Sequence, residues 1–205
     1  MFENLIRVYE TEKYFYEVIE EDVMHNPREY YTHITHLLFK TKHIDLSDEE
    51  LKDIDLGDFN GWDAVEDYLY EEFKVAYITP VYMMDHSYIT LGARPFGGYY
   101  GRFDSGQVGF LFVTEEDKEK YNIDRQKFYE MVEYELTEFE NYLNGFSFGL
   151  YRRDKSDPDI LEFVDHAFTE EDIIAILKEL EEDYKELDVD KYKDKFTLEV
   201  VYKEK

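Results

Sequence analysis

The sequence is most informative at first for what it has little of: it contains no cysteine and only 4 prolines in 205 residues. Without cysteine the chain forms no disulfide bond, thiolate metal site or thiol nucleophile. No apolar run approaches the roughly 20 residues that a bilayer-spanning helix needs. The opening residues MFENLIRVYETEK lack the basic and apolar regions of a secretory signal peptide. We therefore expect a soluble, cytoplasmic protein.

Basic side chains are also scarce, because 23 Lys and Arg stand against 50 Asp and Glu, a formal net charge of −27. This imbalance argues against direct binding of nucleic acid, whose affinity comes from neutralised phosphates, and against anionic membranes. The chain nevertheless has 20 Tyr and 16 Phe, whereas disordered acidic segments have few aromatics. We expect a folded protein whose negative surface either provides solubility or binds a basic protein partner.

The spacing of apolar residues predicts an α+β fold, in which a mostly antiparallel sheet is covered by acidic amphipathic helices. Residues 4–20 alternate as a hairpin does, with a turn at Thr11–Lys13. Helices are predicted to begin near Asn60, Asp124 and Thr169. A closing strand is predicted at 196–202. The length suits one domain or at most two small ones, and we expect a single domain over 1–205, with 160–205 as a possible C-terminal extension.

Two of the predicted helices carry outward-facing carboxylates at helical spacing. Residues three or four apart on a helix lie about 5–6 Å from one another, so such a helix presents a ladder of negative charge. The last helix is predicted to continue to Leu187, since Ile173, Leu177, Leu180 and Tyr184 keep its apolar rhythm. The candidate partner-binding residues are Glu66, Asp67, Glu71 and Glu72 on the first helix, and Glu171, Asp172, Glu179, Glu182 and Glu186 on the second.

The segment from Asp85 to Thr114 combines glycines, small polar side chains and aromatics, and it is the candidate for a small site. If its two flanking strand ends are neighbours, a cluster of polar side chains meets there. The contiguous Asp85-His86-Ser87 does not itself form a catalytic triad, because adjacent side chains diverge. Turn hydrogen bonds explain the same residues structurally. The members of this cluster are Asp85, His86, Ser87, Asp104, Ser105 and Gln107.

Two further patterns raise the question of a metal. Glu29, His33 and His36 would share one face if the chain after Pro27 were helical, and imidazole and carboxylate are metal ligands. Asp53, Asp55 and Asp58 suggest a calcium loop, but the EF-hand spacing and its closing glutamate are absent. In both places a solvated surface explains the residues more simply, so we expect no bound metal and no cofactor.

Several motifs, in order, resemble a family of uncharacterised phage and mobile-element proteins. They are Asn26-Pro27-Arg28-Glu29, Asp85-His86-Ser87 with Ile89-Thr90, Pro95-Phe96, the block from Asp104 to Phe110, and Tyr142-Leu143-Asn144-Gly145. Phe103 stands where such proteins usually have tryptophan. The resemblance covers about residues 4–150 and implies a genetic setting, but no catalytic residues.

The leading hypothesis is a non-enzymatic phage-type inhibitor of a host nucleic-acid-binding defence protein, such as a restriction or CRISPR nuclease. Its negative surface would imitate DNA, and its partner would be a basic host protein in the host cytoplasm. The alternative is a small enzyme or a ligand- or metal-binding module that uses Asp85, His86 and Asp104. An assembly protein with a large apolar patch is a third possibility.

Overall fold

The computed structural model describes residues 4–21, 26–98, 104–181 and 183–194. It contains helices and two antiparallel sheets, which confirms the α+β class. No described helix has the length and apolar character needed to cross a membrane. The Cα positions group into two compact units, Met1–Met24 with Gly145–Lys205, and His25–Asn144. The single domain stays a prediction, because this grouping does not say whether either unit folds alone.

The strands and helices follow one another along the chain with short connections. In order they are β1 (Leu5–Glu10), β2 (Tyr14–Glu21), α1 (Pro27–Tyr30), β3 (His36–Phe39), α2 (Trp62–Phe73), β4 (Val75–Asp85), β5 (Ile89–Gly92), β6 (Ser105–Thr114), α3 (Glu115–Tyr121), α4 (Arg125–Leu143), β7 (Ser147–Asp154), β8 (Leu161–Ala167), α5 (Glu170–Leu180) and β9 (Lys185–Leu187).

The first unit is built on a five-stranded antiparallel sheet in the order β8-β7-β2-β1-β9. On one face, Ile173 and Leu177 of α5 pack against Tyr9, Tyr16 and Leu150. On the opposite face, Tyr192 of the helical residues 189–194 packs against Val8 and Phe15. The segment after residue 160 therefore supplies both outer strands of this sheet and helices on both of its faces.

The second unit is a four-stranded antiparallel sheet in the order β3-β6-β4-β5, with helices on both faces. Alternate residues of β6 point to opposite faces, so Leu111 and Val113 pack under α4, whereas Phe110 and Phe112 pack under α2. Both faces of β6 are buried from Val108 to Val113, where apolar residues occupy both sets of alternating positions. At Gly109 an added Cβ would lie 1.7 Å from the carbonyl oxygen of Leu38. The backbone of β3 therefore approaches β6 too closely at this position for any side chain.

Local sequence signals for turns and helix starts are mostly confirmed. The first hairpin turns at Thr11, whose hydroxyl accepts from the backbone N–H of Tyr14 at 3.1 Å. Thr114 and Thr169 each form a capping box with the aspartate three residues later. Asp124 caps α4 by accepting from the N–H of Lys127 at 2.8 Å. These motifs succeed because their partners lie within three residues.

Other local predictions are wrong. The N-cap of α2 is Gly61 rather than Asn60, with no side-chain cap bond. The spacing of Ser47 and Glu50 is typical of a capping box and predicts a helix start, but the hydroxyl of Ser47 accepts from the N–H of Phe39 at 3.1 Å instead. The final helix ends at Leu180, because the chain then turns to pair β9 with β1. The predicted strand at 196–202 lies outside the described residues.

Candidate functional site

The end of β4 and the start of β6 are neighbours, as the hypothesis of a small site in the Asp85–Thr114 segment required. Met84 in β4 pairs with Ser105 in β6, and the N–H of Asp85 donates to the carbonyl of Asp104 at 2.9 Å. His86 Nδ1 lies 3.5 Å from Asp104 Oδ2, and the two side chains are 54% and 34% exposed. This Asp–His pair is a surface contact at the end of the sheet.

Two other members of that cluster, Ser87 and Gln107, have surroundings of their own. Ser87 is exposed in the turn between β4 and β5. Gln107 lies opposite Tyr82, and its side-chain amide donates to the carbonyl of Gly109 at 3.3 Å. Its role there is structural, because the bond holds the backbone of its own strand.

Glu29, His33 and His36 do not share a helical face, because α1 contains only four residues and His36 begins β3. His33 Nε2 instead lies 2.7 Å from Glu138 Oε2 in the interior. Proline favours the first position of a helix but does not set how long the helix is. Here α1 ends at Tyr30, and the chain continues into β3. Glu29, His33 and His36 therefore have separate environments.

His36 has two carboxylate partners, Glu50 at 2.7 Å and Asp117 at 3.0 Å. His36, Asp48 and Glu50 each place one ligand atom within 4.8 Å of the others, and this is the only such group of three that the described residues contain. Asp48 Oδ2, however, already faces the guanidinium of Arg28 at 3.2 Å. That cation opposes the approach of a second one.

Asp53, Asp55 and Asp58, which the sequence suggested for calcium, likewise do not form a group of metal ligands. Asp55 Oδ1 accepts from the N–H of Gly57 at 2.8 Å and caps the short 3₁₀ turn Leu56–Asp58. Asp53 lies on the surface before it. Turn capping explains Asp55 without an ion, because Asp side chains commonly hydrogen-bond the backbone two residues ahead.

Sequence reasoning missed a buried polar network around Arg28 in the resemblance motif Asn26-Pro27-Arg28-Glu29. The Arg28 guanidinium donates to the Thr35 carbonyl at 2.7 Å, the Thr35 hydroxyl at 2.9 Å and Glu135 Oε2 at 2.8 Å. The side chains of Arg28 and Glu135 are only 8% and 4% exposed. Burial raises the pKa of Glu135, and the charge of Arg28 opposes this shift. The motif is therefore a structural anchor in the second unit.

Helix α2 carries the predicted carboxylates on its surface. Asp67, Glu71 and Glu72 are exposed and Glu66 is partly buried, while Val65 and Leu69 face the core. Asp63 adds a fifth carboxylate, and the helix contains no lysine, arginine or histidine. Within the described part of the chain, none of these five acids has an ion-pair partner.

The electrostatics of α2 show the effect of this crowding. Burial raises the pKa of Glu66, and the neighbouring charges of Asp63 and Asp67 raise it further. Like charges three and four residues apart on a helix repel one another. An approaching cationic surface would relieve this repulsion, so α2 is an acidic surface without internal compensation.

The acids predicted on the last helix are divided among different roles. Glu171 and Glu179 are exposed on α5. Asp172 is 7% exposed, and its carboxylate accepts from the N–H groups of Phe168 and Thr169 at 2.9 and 2.8 Å. The structure thus removes Asp172 from the outward face, and the Thr169–Asp172 capping pair was the signal for it.

The last two predicted contributors also differ from the sequence interpretation. Glu186 lies in β9 rather than on a helix, and Arg7 reaches it at 3.3 Å while also contacting Glu170 at 2.8 Å. Its charge is therefore partly neutralised. Glu182 lies outside the described residues. Helix α5 of the first unit therefore presents fewer exposed carboxylates than α2 of the second unit.

A cleft of about 1160 Å³ lies within the second unit, between the edge of β4, the segment 91–97 and α4. Sequence reasoning missed it, because its walls come from three separate parts of the chain. Glu140 of α4 accepts from the N–H of Leu91 at 2.8 Å, and Asn144 accepts from the N–H of Ile89 at 2.8 Å. These bonds fix β5 to α4 beside the cleft.

No family model, curated protein or solved structure matches this chain. Three features of its geometry are candidate sites: the exposed Asp–His pair, the uncompensated acidic helix and the cleft beside β4.

Proposed function

We propose that this protein is an acidic, phage-type inhibitor that blocks a host nucleic-acid-binding defence protein, such as a restriction or CRISPR nuclease, by imitating the charge of DNA. The observation that carries the proposal is α2, a 12-residue helix with five carboxylates and no basic residue. A phage or mobile-element setting, which the sequence motifs suggest, belongs to the same proposal. The inhibitor would act in the host cytoplasm, without a cofactor and without touching nucleic acid.

The spacing of the charges on α2 supports mimicry. Asp63 and Glu72 are nine residues apart, which corresponds to about 13.5 Å along the axis at about 1.5 Å per residue. Five carboxylates over that length have a mean axial interval of about 3.4 Å, and one strand of duplex DNA carries one phosphate per about 3.4 Å. Asp63, Asp67 and Glu71 fall at i, i+4 and i+8, so they follow one side of the helix.

The rigidity of α2 also favours recognition over simple solvation. Val65 and Leu69 are buried against Phe110 and Phe112 of the sheet, so the helix is held by the core of its unit. A groove that binds nucleic acid would meet carboxylates on a backbone already held in place, so less backbone entropy would be lost on binding. Exposed Glu171 and Glu179 on α5 form a second, sparser acidic surface in the other unit.

The alternative function, a small enzyme or ligand-binding module at Asp85, His86 and Asp104, has weaker support. One contact favours it, the 3.5 Å separation of His86 Nδ1 and Asp104 Oδ2. Both side chains are substantially exposed, and the cleft of about 1160 Å³ is lined by other residues. Replacing His86 and Asp104 by alanine separates the two functions, since mimicry predicts unchanged inhibition.

The proposal is tested with a panel of purified restriction and CRISPR nucleases, measured for binding and for DNA cleavage. The test variant is Asp63→Asn/Asp67→Asn/Glu71→Gln. A matched control, Glu116→Gln/Glu119→Gln/Glu130→Gln, removes the same number of charges from exposed positions on α3 and α4.

We expect a nuclease that binds at low salt, is displaced by duplex DNA and loses affinity as salt rises, because the contact is electrostatic. The α2 variant should weaken binding at least tenfold, and the control less than threefold. Absence of any bound nuclease at low salt, or equal losses in the two variants, would show that α2 is not a recognition surface.

A further inference from the structure

Within the described ranges of the chain, the edge of β4 that borders the cleft is unpaired over much of its length. β5 pairs only with Tyr82–Asp85, while β4 continues back to Val75 along β6. No other described strand pairs with the stretch 75–81 on that side. The chain leaves the line of β5 after Gly92, and Pro95 follows shortly. A strand that continued this line would lie beside residues 75–81, at the border of the cleft.

The edge carries a feature typical of exposed edge strands. Pro80 has no backbone N–H, and proline at such a position discourages indefinite edge-to-edge pairing of copies. Because alternate residues of β4 direct their backbone groups toward β6, only the remaining backbone groups of 75–81 face the other side and can bond one added strand. Seven residues of strand span about 23 Å at about 3.3 Å per residue.

The other wall of the cleft is a single stripe of α4. It consists of Tyr129, Val132, Glu133, Leu136, Thr137 and Glu140. The stripe is apolar at its centre and acidic at Glu133 and Glu140, with no basic residue. Among the residues that the structure describes, Arg94 is the one cation that lines the cleft, and it comes from the loop. A guest with both apolar and basic side chains would complement this wall.

We propose that an extended peptide segment of a partner protein, containing lysine or arginine, binds here as an added strand along β4 at 75–81. Its backbone hydrogen-bonds the free edge, and alternate side chains enter the cleft between β4 and α4, where a basic side chain meets Glu133. Strand addition beside a helix is a recurring mode of peptide recognition, in which the main chain supplies affinity and the pockets supply specificity.

Two other occupants fit less well. Small-molecule pockets have volumes of about 300–1,000 Å³ and are mostly apolar, whereas this cleft is larger, about 1160 Å³, and borders an open backbone edge. A second copy of the chain would bring two surfaces with Glu133 together, each on a molecule with a net charge of −27, and like charges oppose that contact. The peptide site shares no residue with the acidic surface of α2.

The experiment selects from a displayed library of random ten-residue peptides against the full chain at about 0.15 M salt, where the Debye length is about 8 Å. Selected peptides are then measured against Glu133→Lys and Thr137→Trp, which reverse the charge and fill the cleft. The matched control is Glu130→Lys, the same change on an exposed residue of α4 that does not line this cleft. A version of each peptide with alternate backbone nitrogens methylated keeps the charges but removes the hydrogen bonds.

We expect peptides with alternating apolar residues and at least one lysine or arginine. Glu133→Lys and Thr137→Trp should weaken them at least tenfold and Glu130→Lys less than threefold, while backbone methylation abolishes binding. Bound peptide should slow hydrogen exchange within 75–81. Three results would each overturn the proposal: no enriched peptide, binders equally sensitive to Glu130→Lys and Glu133→Lys, or a dimer of the free chain that Thr137→Trp dissociates.

Discussion

Replacing Arg28 by methionine tests whether the buried network stabilises the second unit. The change removes the guanidinium that contacts Glu135 at 2.8 Å and Asp48 at 3.2 Å, and it leaves a carboxylate that is 4% exposed without its cation. Removal of one partner from a buried ion pair typically costs about 3–5 kcal/mol. With a urea m-value of about 2 kcal/mol per M, the unfolding midpoint should fall by about 1.5–2.5 M.

The assay follows the fluorescence of Trp62, the single tryptophan of the chain. Its ring packs edge-on against Phe110 at 5.7 Å, so its signal reports unfolding of the same unit. The control is Arg125→Met, because Arg125 is exposed and its removal should lower the free energy of unfolding by less than about 1 kcal/mol.

The loss should depend on pH in a defined direction. Burial raises the pKa of Glu135 above its ordinary value, and removal of Arg28 should raise it further. Between the unfolded and folded pKa values the folded state then binds more protons, so stability falls as pH rises through that window. The destabilisation by Arg28→Met should therefore be largest at neutral pH and should shrink as the pH is lowered toward the ordinary range of a glutamic acid.

A second substitution makes the reasoning refutable. In the Arg28→Met background, Glu135→Leu removes the orphaned carboxylate, and replacement of a buried ion pair by apolar side chains is often neutral or stabilising. The double variant should be more stable than Arg28→Met alone by at least about 1 kcal/mol. If Arg28→Met costs less than about 1 kcal/mol, or if Glu135→Leu adds to its damage, the pair does not have the energetic role assigned to it.

Two further predictions concern other parts of the molecule. Gly109→Ala should lower the free energy of unfolding by more than about 2 kcal/mol in the Trp62 assay, because the added Cβ would lie 1.7 Å from the Leu38 carbonyl oxygen. Gly106→Ala in the same strand is the control and should be nearly neutral, because its added Cβ would have no described atom within 4 Å. The hydrogen bond that Tyr151 donates to Glu21, with burial, raises the pKa of Tyr151 to about 12. Between about pH 10 and this value the folded state holds a proton that the unfolded chain has lost, so the free energy of unfolding falls as the pH rises. In Tyr151→Phe the slope of this free energy against pH should be shallower by up to one proton. Urea unfolding followed by circular dichroism measures the slope.

The candidate sites were predictable from the sequence to different degrees. The exposed acids of α2 follow directly from apolar spacing, since Val65 and Leu69 fix which side faces the core. The approach of His86 to Asp104 followed once both flanking runs were interpreted as strands. Asp172 shows where the reasoning failed, because its capping motif already assigned its carboxylate to the backbone. The cleft had no sequence signal, since its walls meet only after β4, β5 and α4 pack.

The sequence by itself determined what depends on near neighbours. Charge, the absence of cysteine, the first hairpin, the caps at Thr114, Asp124 and Thr169 and the two-faced burial of β6 all follow from residues close in the chain. Tertiary structure alone decided that His36 begins a strand, that α5 ends at Leu180 and that Arg28 meets Glu135, 107 positions away. The physical reason is that these outcomes depend on partners distant in sequence, whose burial and pairing outweigh local preference.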